Sequence, residues 1–308
     1  MNALKKLELK ATEFVANSPG PIYNTARTIQ NIFDSRKIKN AVKSGTPLVL
    51  VYQYGRVAST SVYASVLAAN IELPTFHVHT ISSKRASEWV NRAKKNGEQI
   101  NRNFIVGKIL GDTISKQGDT PYPKPWKIIS IFREPISLML SLHFLNPEGK
   151  FLEVLEKYSE TDKTKVIDYF VELFDNDNPS NWALSNWYDD VFPEETGINV
   201  YDYEFNSDQG YQIIRNERFD TLLLRFEDLA NSFKVGGAEL FGLDQERFNL
   251  LHSHIHKNDK YHEVHNYVKN NLVLSKETCD KLYSTKFMKH FYSDDFIEKL
   301  TNKWTGAR

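Results

Sequence analysis

One segment of the chain combines a cationic side chain with hydroxyl groups in a spacing that suits a bound anion. In YGRVASTS, residues 54–61, Arg56 supplies a permanent positive charge. The small and hydroxyl side chains that follow or flank it are Gly55, Ala58, Ser59, Thr60 and Ser61. The next residues have the apolar spacing of a helix, and the N–H groups at a helix N-terminus attract anions. The run therefore predicts a site for one phosphate-like group, although an ordinary Ser/Thr-rich helix start is the alternative.

A second segment, FREPISLMLS, carries an arginine and serines that can share an anion. Arg133 precedes Pro135, a residue suited to the first position of a helix. Ser141 lies eight residues after Arg133, about 9 Å along that helix. Ser137 is four residues before Ser141 and shares its face. Arg133 is a predicted anion ligand together with Ser141, Ser137 or both; a simple helix start remains the alternative.

Both segments follow short apolar runs that predict strands. Such runs occupy residues 47–53, 74–80, 126–132 and 221–226, and most are followed by helical patterns, whereas residues 102–115 suit either a helix or a strand. This alternation predicts an α/β fold with a central parallel sheet flanked by helices. Ligands of such sheets bind beyond the carboxyl ends of the strands, where both segments are expected.

The chain is predicted to form an N-terminal helical arm over residues 1–44 and a single α/β domain over residues 45–308. The arm has helical spacing and is broken by Pro19-Gly20-Pro21. The remainder has neither a repeat nor a low-complexity linker, which favours one compact domain.

The composition is that of a globular protein, with 41% hydrophobic and 25% charged residues among 308. Residues 1–135 hold 20 Lys and Arg against 9 Asp and Glu, and residues 136–308 hold 19 against 30, so the halves carry +11 and −11. A basic half in a neutral chain favours a local anionic ligand over nucleic acid.

The single cysteine, Cys279, excludes an internal disulfide, and no apolar run is long enough to cross a bilayer. The first residues also lack a secretory signal pattern, so we expect a cytoplasmic location.

Together, the two segments resemble the cofactor signatures of sulfotransferases that use 3′-phosphoadenosine 5′-phosphosulfate (PAPS). The first signature falls on Arg56, Val57, Ala58, Ser59 and Thr60, and the second on Arg133, Pro135 and Ser141. Val57 and Ala58 replace the usual Ser-Gly pair of the family. TLLLRFEDL also resembles the strand and acidic turn that these enzymes carry after the sheet.

The resemblance implies an enzyme with the P-loop-like sulfotransferase fold, which releases adenosine 3′,5′-bisphosphate as its product. Arg56 and the hydroxyls up to Ser61 would bind the 5′-phosphosulfate, and Arg133 and Ser141 the 3′-phosphate. These enzymes also close on the 3′-phosphate with a late basic segment. We expect that segment at Lys257, Asn258, Lys260 and Tyr261, although the family's Arg-Lys-Gly signature is absent and a solvated loop is the alternative.

His79 is the predicted catalytic base for the attacking hydroxyl. It ends the second predicted strand, where cytosolic sulfotransferases place a catalytic histidine, and His77 lies on the same face. A carboxylate serves in some relatives, so His77 or an acidic residue is an alternative. Five further histidines between residues 252 and 265 lie in a loop-like pattern that does not favour a metal site, and none is expected.

The wider pattern, including NWYDDVFPEETGINVYDYEF and GYQIIR, resembles a bacterial family named for capsular polysaccharide synthesis. This resemblance covers residues 47–270 and implies a saccharide or other hydroxyl acceptor. Aromatic residues in this region, among them Trp182, Trp187, Tyr188, Tyr201 and Tyr203, are expected mainly in the core.

Two other functions stay open. A P-loop-type kinase is disfavoured because the first segment lacks the Lys-Ser/Thr pair of GxxxxGK[ST]. The second open function is a nucleotide-binding protein of capsule synthesis that has no catalytic activity. Peripheral membrane contact through the arm, the oligomeric state and the acceptor are not determined by the sequence.

Overall fold

A computed structural model describes residues 20–117, 122–145, 147–176, 186–251 and 260–307. Contacts within the chain define two compact units. Unit 1 comprises residues 1–132, 195–198 and 210–253, and unit 2 comprises residues 133–194, 199–209 and 254–308. The predicted division into an arm and one domain stays a prediction.

Unit 1 is built on a five-stranded sheet. In chain order its strands are β1 (Val49–Tyr52), β2 (Thr75–Val78), β3 (Trp126–Phe132), β4 (Tyr211–Arg215) and β5 (Phe219–Arg225). Their order across the sheet is β2-β1-β3-β5-β4. The chain passes from β1 to β2 on one side and returns to β3 on the other, so the order reverses at β1. Parallel sheets bind ligands at the carboxyl ends of the strands beside such a reversal.

The predicted central sheet is mostly parallel, but the strand at one edge is antiparallel. β1 pairs in parallel with β2 and β3, and β3 with β5, but β4 runs antiparallel to β5. The turn between them explains the difference. Asn216 Oδ1 accepts hydrogen bonds from the N–H groups of Arg218 at 2.9 Å and Phe219 at 2.7 Å, which closes a tight hairpin. A connection this short cannot make a parallel crossover.

Helices flank this sheet. Those of unit 1 are α1 (Gly20–Ser44), α2 (Ser59–Ala68), α3 (Ser83–Lys95), α4 (Arg102–Gln117) and α9 (Leu229–Phe241). Ser82 caps α3 through a hydrogen bond from the Arg85 N–H to its Oγ at 3.3 Å. The stretch that suited helix or strand is helix α4.

α4 packs unusually close to the connection between β2 and α3. A Cβ at Gly107 would overlap the Thr80 carbonyl, and one at Gly111 would overlap the Ser83 N–H. At the start of α4, Arg102 donates from Nε and Nη2 to both carboxylate oxygens of Asp34 in α1, each at 2.8 Å. These contacts fix the first turn of α4 against α1.

Unit 2 has a largely helical and aromatic core. Its helices are α5 (Pro135–Leu145), α6 (Gly149–Tyr158), α7 (Thr164–Asn176), α10 (His262–Asn271), α11 (Lys276–Tyr283), α12 (Lys286–Phe291) and α13 (Asp294–Thr305). The short α8 (Phe192–Thr196) contains residues of both units, since residues 195–198 belong to unit 1. Trp187 and Tyr188 are buried, which confirms their predicted core role, whereas Tyr203 is 37% exposed. Trp182 lies outside the described residues. Within the described part of the chain, none of the helices has the length and apolar character needed to span a membrane.

Candidate functional site

The loop after β1 has the backbone form of an anion site. Arg56 and Ala58 both adopt left-handed conformations, with φ of 67° and 58°. Such turns point successive N–H groups to one side and form concave anion-binding nests. Ala58 is the N-cap of α2 and makes no side-chain cap. The first turn of α2 therefore offers backbone donors that its N-cap side chain does not satisfy.

The side chains of this loop divide into anchors and surface groups. Val57 is fully buried, so its side chain anchors the loop and only its backbone can serve a ligand. Ser59 and Ser61 are buried and Thr60 is exposed. A Cβ added at Gly55 would meet nothing within 4 Å, which leaves open space beside the loop. This space and the nest together can accept a phosphate-sized anion.

The start of α5 differs from the start of α2 because its own carboxylate caps it. The buried Glu134 accepts hydrogen bonds from the N–H groups of Ile136 and Ser137, both at 2.8 Å. These amides are thus already bound to an anion. Any ligand of the second segment must be held by side chains such as Arg133 and the buried Ser141.

The structure distributes the predicted site residues over the two units. The loop from Arg56 to Ser61 belongs to unit 1, together with His77 and His79, whereas Arg133, Ser141 and Tyr261 belong to unit 2. Arg133 is the residue directly after β3, the parallel neighbour of β1.

Within unit 2, the predicted ligands lie on packed helices. Tyr261 is buried at the N-cap of α10, and α10 packs on α5, the helix of Ser141, through Phe144 and His265, whose rings are 4.6 Å apart. Lys257 and Asn258 lie outside the described residues.

His77 and His79 form a hydrogen-bonded cluster with two amide side chains. Asn103, in the first turn of α4, places its Nδ2 3.3 Å from both His77 Nδ1 and His79 Nε2. Gln53 Nε2 lies 3.1 Å from His77 Nε2, and the Gln53 carbonyl lies 3.0 Å from His79 Nδ1. The parallel register, Val51 opposite His77, brings Gln53 to this face.

Donor and acceptor counting assigns a tautomer to each imidazole. A carbonyl only accepts, so His79 carries its proton on Nδ1 and presents Nε2 as an acceptor. A neutral His77 cannot accept at both nitrogens, yet it faces two amide nitrogens, and the buried Gln53 Oε1 has no hydrogen-bond partner. Turning the Gln53 amide so that Oε1 accepts from His77 Nε2–H gives each nitrogen of His77 a partner of the right kind. Asn103 then donates to His77 Nδ1 and to His79 Nε2.

Burial keeps both histidines neutral. It lowers the pKa of His77 well below its ordinary value, and the nearby His79 and Arg102 lower it further. Burial also lowers the pKa of His79, although the hydrogen bond to the Gln53 carbonyl opposes the shift. His79 thus has a neutral, basic Nε2 at physiological pH.

A buried carboxylate that the sequence reasoning did not place lies on the other face of β1 and β2. Glu195 accepts hydrogen bonds from Tyr52 Oη at 2.8 Å, Thr80 Oγ1 at 2.6 Å and the Ile81 N–H at 2.6 Å. Burial raises its pKa, against these hydrogen bonds. Its carboxylate oxygens already accept these three hydrogen bonds, on the sheet face opposite His77. Glu195 is therefore less suited than His79 to accept a proton from a ligand.

Sequence reasoning also missed Gln53 and Asn103. Gln53 is the last residue of the predicted strand and directly follows β1 in the structure, so its place at the carboxyl end of the strand was a signal that could have found it. Asn103 and Glu195 carry no such signal, because their partners are distant in the sequence. Asn103 lies 24 residues from His79, and Glu195 lies more than 100 residues from Thr80.

The geometry defines an α/β protein in which a candidate anion-binding loop joins β1 to α2, in the same unit as a neutral histidine. Residues 159–293, somewhat less than half of the chain, match the family described as "Putative capsular polysaccharide synthesis protein". This match supports the capsule part of the resemblance. It begins after both predicted cofactor segments and carries no information about them. Neither the search of curated proteins nor the search of solved structures returned a match.

Replacing Ala58 by glycine should stabilise the protein by about 0.5–1 kcal/mol. The left-handed conformation costs a residue with a Cβ about 1–2 kcal/mol, partly offset by the greater chain entropy of glycine. Urea unfolding measures the change. Ala64→Gly, within α2, is the matched control and should lose about 1 kcal/mol or more. Equal losses in both variants would show that residue 58 is not strained.

The stability of the protein should fall with acidification because His77 is neutral when folded. Its folded-state pKa lies below the value of about 6.5 in the unfolded chain. Between these values the unfolded state binds more protons, so stability present above pH 6.5 is lost as pH falls, by up to about 1.4 kcal/mol per pH unit. Urea unfolding from pH 7.5 to 5.5 should show a shallower loss for His77→Gln. An unchanged slope in this variant would contradict the assignment.

Proposed function

We propose that this chain is a PAPS-dependent sulfotransferase that transfers a sulfuryl group to a hydroxyl of a saccharide. The observation that carries the proposal is the nest at Arg56 and Ala58, which opens α2 after β1, with the neutral His79 after the neighbouring strand. The nest would bind the phosphosulfate of the donor, and the neutral His79 would accept the proton of the attacking hydroxyl. The matched family description supports a saccharide as acceptor.

Each anion of the donor has a separate set of proposed ligands. Arg56, the first amides of α2 and the hydroxyls of Ser59 to Ser61 bind the 5′-phosphosulfate. Arg133 and Ser141 bind the 3′-phosphate through side chains, since Glu134 already occupies the amides of α5. Arg56 neutralises the oxygens in the transition state but, as a guanidinium, does not act as an acid.

The proposed reaction is an in-line displacement at sulfur. The acceptor oxygen forms a bond to sulfur, the bond from sulfur to the 5′-phosphate oxygen breaks, and that oxygen keeps the electron pair. His79 Nε2 accepts the hydroxyl proton after exchanging its hydrogen bond from Asn103 for one from the acceptor. His79 Nδ1–H stays bound to the Gln53 carbonyl, which orients the ring and stabilises the imidazolium.

The kinase alternative receives less support from these residues. A P-loop kinase needs a lysine on the phosphates and a hydroxyl on magnesium at the helix start. Arg56 is the cation of the loop from 54 to 61, and no lysine lies there. We therefore prefer sulfuryl transfer.

Adenosine 3′,5′-bisphosphate should bind the protein, and Arg56→Ala and Arg133→Ala should each weaken it at least about thirtyfold. Each substitution removes a charged partner of one phosphate, at about 2 kcal/mol or more. Isothermal titration measures the affinity, with circular dichroism to verify the fold. Arg92→Ala, an exposed arginine on α3, is the matched control and should bind normally. No binding to the unaltered protein at millimolar nucleotide, or preference for magnesium-ATP, would refute the proposal.

His79→Ala should lower sulfuryl transfer about 100-fold or more and leave nucleotide affinity unchanged. Loss of a general base costs this much. Transfer of radiolabelled sulfate from PAPS to a panel of glycans measures the rate. In the unaltered protein the rate should rise with pH to a plateau, and the midpoint of this rise should lie below pH 6.5, because burial lowers the pKa of His79. His262→Ala, in α10, is the control. A full rate in His79→Ala would place the base elsewhere.

A further inference from the structure

An exposed aromatic surface extends from the histidine cluster to the solvent. Trp89, on α3, is 49% exposed, in contrast to the buried Trp187 and Trp304. Its ring stacks on Phe104 of α4, with centroids 5.1 Å apart and planes within 14°. Phe104 in turn lies 5.8 Å from the ring of His79. We call Trp89 and Phe104 the aromatic ledge.

The ledge is held rigidly in place. Phe104 follows Asn103, which is bonded to both histidines, and Arg102, whose guanidinium is paired with the buried Asp34. Trp89 is supported from α3, and the close approach of α4 at Gly107 and Gly111 fixes the two helices together. A rigid, solvent-facing indole is a suitable surface for a ring-shaped ligand, because little conformational entropy is lost on contact.

The charge around Trp89 is positive. The exposed charged residues of α3 are Lys84, Glu88, Arg92, Lys94 and Lys95, which leaves a surplus of three positive charges. The Arg92 guanidinium lies 5.4 Å from the centre of the Trp89 ring. An anionic group on a ligand that stacks on Trp89 would therefore meet a cation at the ring.

We propose that the aromatic ledge is the acceptor subsite and that it takes an anionic oligosaccharide, such as one built from uronic acids. Trp89 would contact the C–H face of a sugar, and Arg92 its carboxylate. The two centroid distances place the Trp89 ring at most about 11 Å from the His79 ring. One oligosaccharide chain, longer than a monosaccharide, would therefore contact both Trp89 and the proposed base His79. This inference rests on the proposed function for the role of His79.

Titration with tetragalacturonate, an oligosaccharide of uronic acids, tests the subsite directly. We expect Trp89→Ala to weaken binding about tenfold and Trp89→Tyr to retain it within about threefold, since tyrosine preserves a stacking face. Arg92→Gln should weaken binding about threefold and reduce its sensitivity to salt. Lys124→Ala, an exposed cation before β3, is the matched control and should not change the affinity.

Other probes separate this ligand class from alternatives. Maltotetraose, a neutral chain of the same length, and monomeric galacturonic acid should both bind more weakly than tetragalacturonate. The inference is overturned if Trp89→Ala binds tetragalacturonate like the unaltered protein or if the unaltered protein does not bind it at millimolar concentration. The inference is also overturned if Trp89→Ala weakens binding to anionic phosphatidylglycerol vesicles but not binding to tetragalacturonate. That result would identify a lipid surface as the ligand.

Titration of the same variants with adenosine 3′,5′-bisphosphate distinguishes the two proposals. Trp89→Ala should keep full nucleotide affinity, because the ledge contacts the acceptor and not the donor. Nucleotide binding without Trp89-dependent sugar binding overturns the subsite alone. Trp89-dependent sugar binding without nucleotide binding supports the ledge as a glycan site and overturns the proposed sulfotransferase.

Discussion

The parallel pairing of β1 with β2 is the constraint on which the candidate site depends. Its register sets Val51 opposite His77 and Tyr52 opposite Val78. Gln53 and both histidines consequently lie on one face, and Tyr52 with its partner Glu195 on the other. A slip of one residue would exchange the faces and place the histidines against Glu195. Because both faces of these strands are buried, such a slip would also disrupt the packing on each side of the sheet, so the core itself enforces the geometry of the site.

Polar groups buried beside that pairing must satisfy one another, and this requirement specifies protonation as well as position. The Gln53 carbonyl fixes the proton of His79 on Nδ1, and Asn103 can donate to both rings only if His77 carries its proton on Nε2. An unsatisfied buried donor or acceptor costs about 1–3 kcal/mol, so each member of the cluster depends on the others. The same network that stabilises unit 1 leaves His79 with a basic nitrogen and fixes the helix turn that bears Phe104.

The two lines of evidence on function come from different parts of the chain. The family match covers residues 159–293, which include β4, β5 and most helices of unit 2. The loop of residues 54–61 and the histidine cluster lie before that range, and the support for their proposed roles is geometric. The left-handed Arg56 and Ala58 are central here, because backbone strain in residues other than glycine persists where surrounding structure holds it, often at binding sites.

The sequence by itself determined the strands β1, β2, β3 and β5, the helix start at Pro135, and the order of strand, loop and helix around Arg56. These features depend on local apolar runs, caps and turn residues, which are read within a few positions. Only the tertiary structure decided that β4 is antiparallel, that α4 is a helix beside the histidines, and that Glu134 caps α5.

Tertiary contacts also joined Gln53, Asn103 and Glu195 to the site, and placed Trp89 in solvent next to Phe104. Each of these outcomes depends on which distant segments meet. The physical reason is that hydrogen bonding and burial act between neighbours in space, whereas composition and periodicity record only neighbours along the chain.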